Sequence, residues 1–331
     1  MTRCLKVPRQ DAEEARNAAI EAGVLDRGHR ISRDGEHVYI PVTADLEGRW
    51  EMVDWDAPVR EETEGDYRRI AQVPEELRDL LPSSFDIIGD VAIVRLPPEL
   101  EEHSKAIGEA MLTAGSNLRL VLRDGGVKGE TRVRELESIA GEGESETLHT
   151  EFGVRMLVDP RRVYFNPRLA NERHRIAQLV REGETIIDMF AGAGPFPLVI
   201  WKNSPPARIY AVDLNPAAVE YMEKNIRLNR TDGITPLQGD VNEVMEGLPL
   251  ADRIIMNLPQ SAADFLPLAI SRCRPGATLH LYLISEREDW PDMLDRVLAS
   301  GEGRELQADM EKELKTYSPT MSVYALDLRI P

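Results

Sequence analysis

The chain has 331 residues, enough for two or three domains, and a hydrophobic fraction of 42%, enough for sizeable cores. Its formal net charge of −18 argues at first sight against a nucleic-acid partner. No apolar run reaches the length of a membrane-crossing helix, and the opening MTRCLKVPRQ is too polar for a signal peptide. The two cysteines, Cys4 and Cys273, form no CxxC pair, and the six histidines show no metal-ligand spacing. A reducing, cytoplasmic setting without a metal is therefore expected.

Residues 1–65 read as a small unit. An alanine-rich helix near Gln10 to Ala22 stops at Gly23, and a strand-like HVYIPV follows. The acidic stretch Glu61 to Asp66 reads as a linker. A second, α+β unit is expected over 75–160. Its FDIIGDVAIVRL is a strand pair or one long strand, and Pro97 and Pro98 open a helix running to about Ala114. LRLVLRD, TRVRELESI and TLHTEFGVRMLVD are three further strand candidates. Residues 161–331 alternate strands and helices, with helices near Ala217–Asn229 and Ser261–Cys273. The ending LKTYSPTMSVYALDLRI reads as one side of a strand hairpin. This last domain is expected to be an α/β, Rossmann-like sheet.

Arginine is gathered in two places. Between Arg161 and Arg181 stand six arginines against one acid, Glu172. Upstream lie Arg119, Arg123, Lys128, Arg132 and Arg134. In so acidic a protein, both clusters point to a bound anion.

The most informative stretch is TIIDMFAGAGPFP, 185–197. A short apolar strand ends in Asp188, and Gly192 and Gly194 let the backbone approach a ligand closely before a helix begins. Nineteen residues past Gly194, the strand ARIYAVD ends in Asp213, placed to accept hydrogen bonds from a ribose diol. A nicotinamide site would want a third glycine where Pro197 stands, which opposes an oxidoreductase. The pattern Asp188-x-Phe190-x-Gly192-x-Gly194 instead resembles the first motif of class I S-adenosylmethionine methyltransferases. ITPLQGD ends in Asp240, where those enzymes contact the adenine end. DRIIMNLPQ carries Asn257-Leu258-Pro259, similar to the loop that faces the methyl acceptor in nitrogen methyltransferases.

With DMFAGAGPF and MNLP, the segment VYFNPRLANER (163–173) closely resembles the archaeal/eukaryotic-type tRNA (guanine-37-N1)-methyltransferase family. The likeness extends upstream through VKGETRVRELESI and covers roughly residues 80–331. It implies methylation of guanosine 37 of tRNA by S-adenosylmethionine, with a small first domain at the outer corner of the tRNA. The family's general base falls on Glu172, and its O6-contacting arginine on Arg132, with neighbouring Arg134 as the alternative. Arg168 and Arg173 fall on arginines lining the anticodon-loop and cofactor site, and Asn257 and Pro259 on the target-base loop. Leu214 and Val241, which follow Asp213 and Asp240, complete the implied cofactor set. From charge pattern alone, Glu172 is an ordinary ion pair with Arg168 or Arg175 on its own helix.

The chemistry agrees with the resemblance. Guanine N1 carries a proton at neutral pH and must lose it to attack the methyl group. A carboxylate within hydrogen-bond reach can take that proton, and an arginine at O6 stabilises the charge left behind. The rivals are the related aminocarboxypropyltransferase of wyosine synthesis, which usually lacks the Asn-x-Pro form, and an RNA-binding protein with a degenerate fold. The intact Asp188, Asp213, Asp240 and Asn257 oppose the second.

Overall fold

The polar-looking N-terminus is the centre of a sheet. In the computed structural model, which describes residues 1–331 apart from 27, 47–48, 60–65, 130–132, 207, 302–304 and 317–319, the chain falls into two compact units, Met1–Asp66 and Tyr67–Pro331. The expected linker and Arg132 thus lie almost wholly or wholly outside the described residues. In the first unit, β1 (Thr2–Pro8), α1 (Ala12–Glu21), β2 (Ser32–Arg33), β3 (His37–Pro41) and β4 (Glu51–Trp55) form a sheet of order β2-β3-β1-β4 with one helix on it. Alternation explains β1. Leu5 and Val7 pack with Ala15 and Ala19 of α1, while Cys4 points to the opposite face, beside Tyr39. Lys6 interrupts the apolar run, which hides the strand from a hydropathy reading, and its ammonium pairs with Glu51 at 3.4 Å. Helix α1 ends at Gly23, which adopts φ +67°.

The second unit opens with α2 (Tyr67–Ile70), β5 (Asp86–Ile88), β6 (Val91–Val94), α3 (Ser104–Ala114), β7 (Leu120–Lys128) and β8 (Val133–Gly141), the sheet order being β5-β6-β7-β8. FDIIGDVAIVRL is thus a strand pair, turned at Gly89 with φ +57°. Helix α3 lies against β8 at Gly108, where a Cβ would stand 2.8 Å from that of Ala140.

TLHTEFGVRMLVD, expected as one strand, is a hairpin of its own, β9 (Thr147–Glu151) and β10 (Val154–Val158). Two asparagines of a later helix complete its edge. Asn225 accepts from the Leu157 amide at 2.7 Å and donates to its carbonyl at 3.0 Å; Asn229 does the same at Arg155, at 3.0 and 2.7 Å. The side chains stand in for a neighbouring strand and satisfy backbone groups the two-stranded sheet leaves open.

The remainder is α4 (Ala170–Leu179), β11 (Thr185–Asp188), α5 (Pro195–Asn203), β12 (Arg208–Asp213), α6 (Pro216–Asn229), β13 (Ile234–Gln238), α7 (Val241–Val244), β14 (Ala251–Met256), α8 (Leu266–Ser271), β15 (Cys273–Glu286), α9 (Trp290–Ala299), β16 (Gln307–Thr316) and β17 (Met321–Arg329). The sheet order is β13-β12-β11-β14-β15-β17-β16, with β17 antiparallel to both its neighbours. The order reverses between β11 and β14, and a doubly wound sheet binds its ligand at that point, beyond the strands' carboxyl ends. The expected helix at Ser261–Cys273 is shorter: a 3-10 turn leads into α8, and Cys273 already opens β15. Helix α9 and the long strand β15 carry no motif and were not expected.

Candidate active site

A cavity of about 560 Å³ opens where the order reverses. Its floor is the loop after β11. Gly192 (φ +56°) turns that loop, and Gly194 (φ +85°) caps α5 with Pro195 at the first helical position. Asp188 ends β11 fully buried; its Oδ1 accepts from the Phe190 amide at 3.2 Å, and its Oδ2 has no partner among the described residues. Burial, with the nearby Asp213 charge adding to it, pushes the Asp188 carboxyl up to about 8.

Asp213 ends β12. Its Oδ2 accepts from the Gly192 amide at 2.7 Å and its Oδ1 from the Asn215 amide at 2.8 Å. Burial raises this carboxyl above its ordinary value, and those two amides oppose the rise. Asn215 then caps α6, accepting from the Ala217 amide at 2.9 Å. Asp240 caps α7 by accepting from the Asn242 amide at 2.8 Å.

Of the expected residues, Arg173, Phe190, Gly192, Asp213, Leu214, Asp240, Val241, Asn257 and Pro259 line the cavity. Asp188, Gly194, Arg168 and Glu172 do not: the first two shape the loop beneath it, and Arg168 is half exposed. Arg132 lies outside the described residues, and Gly129 lines the cavity. Arg134 is held by Asp86 at 3.1 Å and Asp124 at 3.5 Å.

Glu172, buried at 6% exposure, accepts from Arg175 at 2.6 Å and from the Tyr282 hydroxyl at 2.9 Å. Its helix ion pair is therefore with Arg175, not Arg168. Arg175 also binds Asp327 at 2.7 Å. Asp327 meets His280 Nδ1 at 2.6 Å, and His280 Nε2 meets Arg253 at 2.6 Å. A guanidinium only donates, so Nε2 accepts and Nδ1 carries the proton that goes to Asp327. Burial opposes it, yet His280 and Arg175 hold the Asp327 carboxyl well below the usual carboxylate range.

The arginine clusters read differently in three dimensions. Arg173 is 1% exposed and forms a fork with Glu151 at 2.5 and 2.6 Å. Arg168 binds Asp86 at 2.6 Å, and Arg162 binds Glu220 at 2.9 Å. Arg161 donates to the Leu136 carbonyl and to Ser138. Upstream, Arg119 holds Asp90 at 3.0 Å, and Arg123 holds Glu101 and Glu137. Most of these side chains are thus engaged within the fold, and Arg119, Arg162 and Arg168 stay partly exposed while paired.

Sequence reasoning assigned no role to Tyr164, Phe165, Asp264, Phe265 or Tyr282, all of which line the cavity. Tyr164 and Phe165 stand in the segment that carries the resemblance; Tyr282 lies in a plain apolar strand with no signal.

The donor set fits a nucleoside carrying an amino acid: a carboxylate at the end of β12 for the ribose diol, the Phe190 and Phe265 rings for a base, and a glycine turn for close approach. Fold and site together define a class I S-adenosylmethionine-dependent methyltransferase. Comparison with known proteins narrows the class. The TRM5/TYW2 methyltransferase domain matches residues 147–302, the TYW2 N-terminal domain 68–145 and the tRNA methyltransferase 5 N-terminal domain 4–51. The tRNA (guanine(37)-N(1))-methyltransferase Trm5b of Pyrococcus abyssi is 40% identical over 334 residues, covering 100% of this chain and 99% of that protein. Its crystal structure superposes with a TM-score of 0.74 at 39% identity, over 100% of this chain and 99% of that one. A solved complex of aTrm5 and tRNALeu gives 0.71 at 32%, covering 99% of each chain. The tRNA(Phe) (4-demethylwyosine(37)-C(7)) aminocarboxypropyltransferase of Pyrococcus horikoshii is 30% identical over 266 residues, 78% of this chain and 93% of that protein. The chain belongs to the TRM5/TYW2 methyltransferase family.

Proposed function

We propose that the chain transfers the methyl group of S-adenosylmethionine to N1 of guanosine 37 of tRNA, beside the anticodon. The observation that carries this reading is a cofactor cavity whose rim holds Asn257-Leu258-Pro259 and whose wall, through Tyr282, reaches the carboxylate of Glu172. The full-length likeness to Trm5b supports it over the aminocarboxypropyl reading, whose relative covers less of the chain at lower identity.

S-adenosylmethionine supplies a methyl group on a positively charged sulfur. Asp213 would hold the ribose diol, Asp240 and Val241 the adenine end, and Phe190, Gly192 and Leu214 the walls between them, with Asp188 and Gly194 keeping the loop in shape. Asn257 and Pro259 would present the target base. Arg132 would stabilise charge at guanine O6, since Arg134 is committed to Asp86 and Asp124. Glu172 would take the N1 proton. Arg173, buried against Glu151, would shape the floor of the substrate site rather than meet phosphate. Arg168, half exposed beside Asp86, is the better placed to meet the anticodon loop. The Met1–Asp66 unit would meet the outer corner of the tRNA, and the enzyme would act as a monomer in the cytoplasm. Among the described residues no helix is long and apolar enough to cross a membrane.

The test is transfer to unmodified tRNA from cofactor labelled in the methyl group and, in parallel, in the aminocarboxypropyl group, followed by nucleoside analysis. Labelled 1-methylguanosine is expected. Label incorporated only from the aminocarboxypropyl portion would overturn the reading in favour of the wyosine-pathway activity.

A further inference from the structure

Glu172 does not line the cavity. Of the side chains hydrogen-bonded to it, Arg175 lies away from the cavity and Tyr282 lines it. Arg175 engages both carboxylate oxygens, Oε1 at 2.6 Å and Oε2 at 3.0 Å. It is itself anchored to Asp327, which is fixed by His280. The carboxylate is thus held by Arg175, and Tyr282, bonded to its Oε1, belongs to the cavity lining. Proton transfer needs a heavy-atom separation of a hydrogen bond, direct or through one intermediary.

We propose that the Tyr282 hydroxyl is that intermediary: it relays the N1 proton of the target guanine to Glu172. The inference rests on the reading of Glu172 as the base. Tyr282 stands at the middle of β15, 1% exposed, between the Phe196 ring and α4. A phenol donates one proton and accepts through its lone pairs. With its own proton already pointed at Glu172 Oε1, the Tyr282 oxygen can accept from N1–H. In the step, the N1–H bond breaks and its proton bonds to the Tyr282 oxygen. The former Tyr282 proton bonds to Glu172 Oε1. The electron pair left on N1 bonds to the methyl carbon as the sulfur–methyl bond breaks and its pair stays on sulfur. The carboxylate is neutralised, the sulfonium charge is lost and Tyr282 ends as it began. Burial, together with Glu172, keeps the phenol protonated far above neutral pH, so the transfers are concerted rather than through a phenolate.

The charged groups packed around this pair are Arg175 from α4 and Asp327 from β17, with His280 of β15 bonded to Asp327, and none of the three is among the described residues that line the cavity. Tyr282→Phe keeps the ring and removes the relay. Its single-turnover methyl transfer should fall on the order of 10²-fold, while affinities for S-adenosylhomocysteine and tRNA stay unchanged. In mixed light and heavy water the wild-type rate should curve with deuterium fraction, because more than one proton moves; the Tyr282→Phe rate should be linear. In the ligand-free enzyme, the infrared carboxylate band assigned through Glu172→Gln should shift in Tyr282→Phe, reporting the lost hydrogen bond without any turnover. A linear wild-type inventory, or a Tyr282→Phe enzyme as fast as wild type while Glu172→Gln is slow, overturns the relay and leaves the base standing. A Glu172→Gln enzyme as fast as wild type overturns the base reading itself.

Discussion

The Gly192 amide donates to Oδ2 of Asp213 across 2.7 Å, so the residue placed to hold a ribose also pins the glycine loop below it. The Asn215 amide takes the other oxygen at 2.8 Å. Each oxygen keeps a lone pair for a hydroxyl, which is what a diol needs. Asp213→Ala should weaken S-adenosylhomocysteine binding by roughly 1.5–3 kcal/mol, the range of a charge-assisted hydrogen bond. Asp213→Asn should be nearly as damaging, because its amino group would face a backbone N–H. Calorimetric titration measures both, and unchanged affinity in a folded variant removes the ribose role.

Asp188 couples stability to pH. Its folded carboxyl titrates near 8, whereas an unfolded aspartate titrates at about 3.9. Between those values the folded chain holds a proton that the unfolded chain has released. Stability contributed by this group is therefore complete below about 4, falls as pH rises and is lost once pH passes the folded value. Asp188→Asn keeps the oxygen that accepts from Phe190 and cannot ionise. Its melting temperature should gain on wild type from pH 5 to about 8 and level off above that value. A gap that does not change with pH means the carboxyl is ionised in the fold.

The two loop glycines differ in what they tolerate. A Cβ at Gly192 would meet nothing nearer than the Tyr164 carbonyl at 3.5 Å, whereas one at Gly194 would stand 2.8 Å from Met222 Cγ. Both have left-handed backbones. Gly192→Ala should cost roughly 1–2 kcal/mol from backbone strain alone, and Gly194→Ala should cost more, since Met222 must also move. Chemical denaturation of the two variants ranks them; equal losses would mean that Met222 yields freely.

The cofactor half of the site was legible because its residues act through local geometry: a glycine turn, and acids at strand ends in the order that βαβ units impose. The pairing of the arginines was hidden because their partners are remote. Arg173 reaches Glu151 across 22 positions, Arg168 reaches Asp86 across 82, and Arg175 reaches Asp327 across 152. Counting charge along a segment cannot see such pairs. Tyr282 was invisible for another reason: in HLYLIS it reads as one more core residue, and only the fold brings Glu172 to its hydroxyl.

The Met1–Asp66 unit has its own core, with Leu5, Val7, Ile40 and Val42 buried beneath α1. The described residues that line the cavity all come later in the chain, from Gly129 on. Deleting 1–66 should therefore spare S-adenosylhomocysteine binding and weaken full-length tRNA binding more than binding of an anticodon stem-loop. Equal losses on the two RNAs would remove the outer-corner role. With most arginines of the two clusters already paired to acids, the salt dependence of tRNA binding should still be negative, but shallower than the clustered arginine count suggests. A slope as steep as that count would mean the internal pairs open on binding.

Arg175 stands between two buried acids, Glu172 at 2.6 Å and Asp327 at 2.7 Å, with side chains 5% and 8% exposed. Removing it leaves two carboxylates close together without their shared cation. Arg175→Met should therefore destabilise the fold by roughly 3–5 kcal/mol, the cost of stranding buried charge. Asp327→Asn in that background should recover part of the loss, because one of the stranded charges disappears. The pH dependence carries a second signature. Asp327 is held below the range of an unfolded aspartate, so its stabilisation is present above about pH 4 and is lost as acid carries pH down toward the folded value. Without Arg175 its folded value rises, and the loss of stability on acidification should shrink. Chemical denaturation of wild type, Arg175→Met and the double variant between pH 3 and 7 tests both statements. An Arg175→Met protein as stable as wild type, with the same acid limb, would show that His280 alone holds Asp327 and that Glu172 keeps its place without the guanidinium.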